Sequence, residues 1–167
     1  MPYGFGPIAE KDAKILILGT MPSVASLKAS RYYGHHQNSF WPIIFGLWGK
    51  TPPEDYNRRV DFLNQKRIAL WDVLKNCDRE GSADSAIMKP QPNDFLSLKK
   101  GCPCLKAVFF NSQNACRLYN RLVKPDVFED LVKITLPSTS PARAMRFEDK
   151  LRMWLPVRDM LENSGCE

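Results

Sequence analysis

Ile15-Leu16-Ile17-Leu18-Gly19-Thr20-Met21-Pro22-Ser23 is an apolar run of strand length that stops at a glycine and enters a proline-bearing turn. Four large aliphatic side chains in a row, with no polar residue alternating between them, suit a strand buried on both faces. Residues 68–70, 107–110 and 132–136 are further short apolar runs of strand length. Helical patterns lie between these runs. Phe40, Ile43, Ile44 and Leu47 fall at i, i+3, i+4 and i+7, with Gly49 as a stop. Thr51-Pro52-Pro53-Glu54 reads as a capping box with proline at the first helical position, opening a helix that carries Tyr56, Val60 and Leu63. Ala115, Leu118, Tyr119 and Leu122 repeat the spacing behind Ser112 as a cap. Phe147, Leu151, Trp154 and Leu155 form a last stripe, which Pro156 is expected to kink or break. The polar, turn-rich segment 76–93 reads as a long surface loop. Strands alternating with helices predict an α/β fold, a three-layer α/β/α sandwich around a central four-stranded, mainly parallel sheet.

A length of 167 residues, without repeats or a dividing linker, predicts a single domain spanning 1–167. Hydrophobic residues at 44% and charged residues at 25% exclude global disorder. Mean hydropathy is −0.35, and no apolar stretch approaches the ~18 residues of a membrane helix, so no membrane partner is expected. The N-terminal segment has no basic head followed by an apolar run, which predicts a cytoplasmic protein. Five cysteines, an odd number, read as free thiols in a reducing compartment. Cys102-Pro103-Cys104 is C-x-C rather than a zinc or redox C-x-x-C, and adjacent His35 and His36 rarely point at one ion, so no metal is expected. A net charge of +6 and a pI near 9.1 fit an acidic partner, but the basic residues are scattered, and a solvated surface explains them equally.

Ligands of parallel α/β sheets gather beyond the carboxyl ends of the strands. Four loops leave those ends here. The first runs from Gly19 through Tyr32-Tyr33-Gly34-His35-His36-Gln37-Asn38-Ser39-Phe40-Trp41; the second follows Trp71-Asp72-Val73. The third is Asn111-Ser112-Gln113-Asn114, and the fourth is Leu136-Pro137-Ser138-Thr139-Ser140-Pro141-Ala142. Pattern alone makes Asn38 a helix cap, packs Tyr33 over the sheet edge and reads the fourth loop as an ordinary S/T-rich turn.

Three stretches point further: G-T-M-P-S at Gly19 to Ser23, Tyr32-Tyr33-Gly34-His35 with Asn38-Ser39-Phe40-Trp41, and L-P-S-T-S-P-A at Leu136 to Ala142. In order and in loop position they resemble the uracil-DNA glycosylase superfamily, and within it the hypoxanthine-DNA glycosylase branch, over roughly residues 15–161. Ser23 departs from that branch's glycine and His36 from its common proline. Met21 stands where mismatch-type uracil glycosylases carry a catalytic asparagine, and Leu136 stands where many relatives carry histidine or asparagine.

The resemblance implies a monofunctional DNA N-glycosylase of DNA repair. Such an enzyme flips out a deaminated base, hypoxanthine first, and hydrolyses its N-glycosyl bond to leave an abasic site. Asn38 would be the catalytic residue, orienting water below the sugar C1′. Tyr33 would stack on the base, and Gly34 beside it would leave room for a purine. Gly19, Thr20, Met21 and Pro22 would line the pocket, with Trp71, Asp72 and Asn111 either contacting the base or locking their loops. Pro137, Ser138, Thr139, Ser140 and Arg143 would press on the DNA backbone. Damaged DNA is the implied partner of a monomer that needs no cofactor. The alternatives are a uracil or mismatch-type glycosylase on the same fold, or a DNA-binding module without catalysis.

Overall fold

The computed structural model describes residues 2–163. Among the described residues there are six strands: β1 (Ile15–Gly19), β2 (Ile68–Asp72), β3 (Leu74–Asp78), β4 (Met88–Pro92), β5 (Ala107–Phe110) and β6 (Val132–Thr135). The main helices are α1 (Val24–Ala29), α2 (Phe40–Gly46), α3 (Tyr56–Gln65), α4 (Phe95–Gly101), α5 (Gln113–Leu122) and α6 (Phe147–Glu162). The central sheet has the order β2-β1-β5-β6, and every pairing in it is parallel. Strands β1, β2 and β5 are buried throughout, as unbroken apolar runs must be when helices cover both faces.

In-register pairing sorts the side chains between those faces. Leu18 lies beside Trp71 and Phe110, and this level meets an aromatic cluster in which Phe95 of α4 and Tyr119 of α5 pack against Trp71 and Phe110. One residue on, Gly19 pairs with Asp72 and points the opposite way, because strand side chains alternate. That second face carries Tyr33, stacked on Phe40 of α2, with Trp154 of α6 edge-on behind it. The three-layer α/β/α arrangement is the expected one.

Local readings fared unevenly. Ser112 caps α5, its Oγ accepting from the Ala115 N–H at 3.0 Å. The chain ends α2 near Gly49, which adopts φ +64°. Helix α3 begins later than the capping-box reading placed it: Asp55 is the cap, accepting from Asn57 N–H at 2.9 Å. The Pro53 carbonyl instead accepts from Arg59 Nε, which folds that segment back onto the first turn. Pro156 does not break α6, which continues through it to Glu162; the helix forgoes one N–H bond there and is anchored on either side by buried Trp154 and Val157.

Segment 76–93 is not a plain loop. Its two ends pair as an antiparallel hairpin, β3 with β4, apart from the central sheet. Pro90 and Pro92 hid the second strand, yet proline is tolerated on an edge that does not need its N–H. Cys77, Cys102, Cys104 and Cys116 are free thiols, and Cys166 lies outside the described residues.

Candidate active site

Gly19 and Asp72 close their strands side by side. Asp72 is 4% exposed, and its Oδ2 is buried without a hydrogen-bond partner among the described residues. A Cβ on Gly19 would stand 2.4 Å from Asp72 Oδ1 and 3.0 Å from Tyr33 Oη, so glycine is required there for space rather than for its dihedral freedom. Burial above all, and then the Asp84 carboxylate, push the Asp72 carboxyl up to about 7, while Arg79 opposes the shift. Gly19→Ala is therefore expected to displace both Asp72 and Tyr33. Overpacking of this kind costs about 1–3 kcal/mol, and misplaced reacting groups cost about 100-fold in rate. Paired single-turnover and denaturant-melting measurements test this, and wild-type rates in the alanine variant would refute the crowding argument.

Tyr33 holds φ +53°, an uncommon conformation for a bulky residue, and its surroundings fix it there. Its ring stacks on Phe40 at 3.9 Å between centroids, and its Oη accepts from Asn111 Nδ2 at 3.0 Å. Burial raises its phenol well above the ordinary range, so it stays neutral. Gly34 does not open the pocket as expected. A Cβ there would meet Ala29 Cβ and Ser26 Cα at 3.3 Å, and its N–H donates to Ser26 Oγ, so the glycine serves the seating of α1. Ser23, in place of a glycine, is extended at φ −67° and caps α1 by accepting from Ser26 N–H at 3.1 Å.

Asn111 ties the loops together. Besides Tyr33 it donates to Thr139 Oγ1 at 2.9 Å, and its Oδ1 accepts from Thr139 N–H at 3.0 Å. Both amide protons are thus used within the protein. The Thr139 carbonyl in turn accepts from Ser39 N–H at 3.0 Å and from Ser39 Oγ at 3.1 Å. Asn38 sits at this seam between the first and fourth loops. Its Oδ1 accepts from Phe40 N–H at 3.0 Å in a local turn, while Ser39 makes no side-chain cap. The cap reading of Asn38 and a role in orienting water are compatible, because an amide oxygen accepts two hydrogen bonds.

The fourth loop is braced from behind. Trp154 Nε1 donates to the Pro137 carbonyl at 3.0 Å, and Lys150 Nζ donates to the Ser140 carbonyl at 3.2 Å. Thr139, expected to face DNA, is 1% exposed and turned inward to Asn111, so it acts on the loop and not on a ligand. Ser138 and Ser140 are half-buried, and Arg143 is exposed. Trp71, expected at the base, lies on the far face of the sheet, donating to the Phe5 carbonyl and edge-on to Phe95.

The hairpin closes the other side. Thr20 Oγ1 donates to Asp84 Oδ2 at 3.0 Å, Arg79 donates to the Pro22 carbonyl, and Val24 N–H donates to Ser82 Oγ at 2.9 Å. Met21 and Pro22 are buried beneath these contacts. His35 and His36 stack on each other at 4.7 Å, and His35 Nδ1 accepts from Gln37 N–H. Among the described residues, no cluster of three or more His, Cys, Asp or Glu could hold a metal ion. No helix of the described residues is long and apolar enough to cross a membrane.

Residues 5–161 match the profile of the Uracil DNA glycosylase superfamily. The chain belongs to that superfamily. Two relatives, each called "Hypoxanthine DNA glycosylase", come from Methanosarcina species. The one from Methanosarcina acetivorans is 35% identical over 155 residues, covering 92% of this chain and 96% of that protein. The one from Methanosarcina barkeri is 35% identical over 141 residues, covering 84% and 87%. A solution NMR structure from Methanosarcina acetivorans, provisionally named a uracil DNA glycosylase, is 34% identical with a TM-score of 0.82, covering 96% of this chain and 98% of that one. Within this DNA glycosylase, sequence reasoning gave Asp72 only passing notice and missed Arg79, Asp84 and Lys150. A carboxylate ending an apolar strand in step with a glycine was the available signal for Asp72. The hairpin contacts had none, since they depend on a strand pairing hidden by prolines.

Proposed function

We propose that the protein is a monofunctional DNA glycosylase that extrudes hypoxanthine from DNA and hydrolyses its N-glycosyl bond, leaving an abasic site. The observation that carries this reading is the position of Asn38, fixed by Phe40 N–H at the seam where Ser39 joins the two motif-bearing loops. An amide oxygen held in this way can orient water beneath C1′ and favour the positive charge that builds there as the base departs. It is too weak a base to drive an associative attack, so bond breaking runs ahead of water addition. Tyr33, backed by Phe40, presents its other face to the base, a contact worth about 1–3 kcal/mol. Ser138, Ser140 and Arg143 meet the phosphates, where hydroxyls and a guanidinium position the duplex without reading its sequence. The names of the two relatives and the methionine at position 21 favour hypoxanthine over uracil. The protein acts as one domain, as a cytoplasmic monomer, and without a metal or cofactor.

The test incubates purified protein, with chelator present, on labelled duplexes holding one hypoxanthine or one uracil, followed by alkali to cut abasic sites. Cleavage at hypoxanthine alone is expected. A preference for uracil would keep the enzyme class and overturn the substrate. DNA binding with no cleavage of either duplex would make the protein a binding module.

A further inference from the structure

Asp72 is out of place as a purely structural residue. Buried carboxyls are ordinarily hydrogen-bonded, since stripping one of water without a partner is unfavourable. Yet Asp72 Oδ2 is buried and unpartnered among the described residues. Its backbone carbonyl, by contrast, accepts from Asn93 Nδ2 at 2.8 Å. The carboxyl takes the room that a side chain on Gly19 would fill, and Tyr33 Oη, on the residue assigned to stacking, reaches the same point. An unsatisfied carboxyl and the hydroxyl of the stacking residue thus meet beside Gly19, at the carboxyl ends of β1 and β2 where ligands of such sheets gather.

We infer that Asp72, in its protonated form, is a base-reading group, its O–H donating to O6 of extruded hypoxanthine and its C=O accepting from N1–H. This rests on the hypoxanthine reading above and adds the group that recognises the lactam edge. The pair is complementary because a neutral carboxyl offers one donor and one acceptor side by side, as the lactam edge does. It also serves the chemistry. As the glycosidic bond breaks, its electron pair passes to the base and negative charge spreads to O6, where the Asp72 O–H bond then strengthens. No proton needs to be transferred. Ionised, the same carboxyl has only acceptors and repels O6.

The surroundings suit a group poised between these two forms. Tyr32 and Tyr33 face Asp72 from the first loop, both kept neutral by burial. Burial raises the Asp72 carboxyl most; from the hairpin, Asp84 adds to the rise and Arg79 opposes it, which together place Asp72 at about 7. The strand partner, Gly19, brings no charge.

Single-turnover excision of hypoxanthine from duplex DNA, measured between about pH 5.5 and 9, tests the inference. The wild type is expected to lose about tenfold in rate per unit above the Asp72 midpoint. Asp72→Asn, whose amide supplies the same donor and acceptor, is expected to excise within about tenfold of the wild-type plateau without that limb. Asp72→Leu is expected to lose about 100-fold or more at every pH while still binding abasic duplex, which certifies its fold. A flat wild-type profile through neutrality, or a limb that persists in Asp72→Asn and so belongs to another group, would overturn the role of Asp72 and leave hypoxanthine excision standing. Absence of hypoxanthine excision by the wild type at any pH would instead overturn the substrate reading and this inference together.

Discussion

Asn38→Ala is expected to lower the single-turnover excision rate by about 100- to 1,000-fold, the loss typical of removing one fixed group that stabilises transition-state charge. Affinity for lesion-bearing duplex should change little, because the phosphate contacts assigned to Ser138, Ser140 and Arg143 lie on another loop. The substitution also deletes the acceptor for Phe40 N–H. That local bond is worth about 1 kcal/mol, so a modest fall in melting temperature is expected alongside. The two effects separate in Asn38→Ser. Serine retains an acceptor for the helix start but cannot reach where the amide oxygen reaches. A slow but stable serine variant supports catalysis. A serine variant as fast as wild type would reduce Asn38 to a cap.

Asn111→Ala should be the most disruptive single change among the loop contacts. It breaks the bonds to Tyr33 Oη, Thr139 Oγ1 and Thr139 N–H at once. Thr139 is 1% exposed, so its N–H would be left buried and unpaired. Each such orphan costs about 1–3 kcal/mol. The rate should fall by about 100-fold, since the first and fourth loops lose their common reference. Asn111→Asp keeps an acceptor for Thr139 N–H and can accept from the Tyr33 hydroxyl, so part of the loss should be recovered. Denaturant midpoints and excision rates measured on both variants test this. Full activity in Asn111→Ala would show that the loops hold their places without it.

The layout of the fold was legible because its strands are buried on both faces. Runs such as 15–18 and 107–110 need no alternation to be recognised, and the loops after them could be assigned to one end of the sheet. The hairpin was not legible, because Met88-Lys89-Pro90-Gln91-Pro92 has neither apolar alternation nor the donors of a ladder strand. At the candidate site, residue types marked the loops at one end of the sheet but not which way each side chain turns. Trp71 and Asp72 are neighbours in sequence, yet only their register with Leu18 and Gly19 sends one to each face. Thr139, expected to face DNA, likewise turns inward from its loop to Asn111. Gly34 was noticed for its small size, while the neighbours that require it, Ala29 and Ser26, belong to a helix whose packing the local pattern does not encode.

The opposite aim of Trp71 and Asp72 makes β2 a ratchet with one admissible setting. A slip of one residue against β1 would drive the carboxyl into the ring cluster of Phe95 and Tyr119 and swing the indole into the narrow room beside Gly19 that the carboxyl now fills. Both halves of that error are unfavourable, a polar group without partners on one face and a bulky ring in the wrong cavity on the other. A molecule that has paired its strands wrongly would therefore be neither stable nor open to a base. The pair that divides the sheet's two faces proofreads the pairing of the enzyme's own backbone.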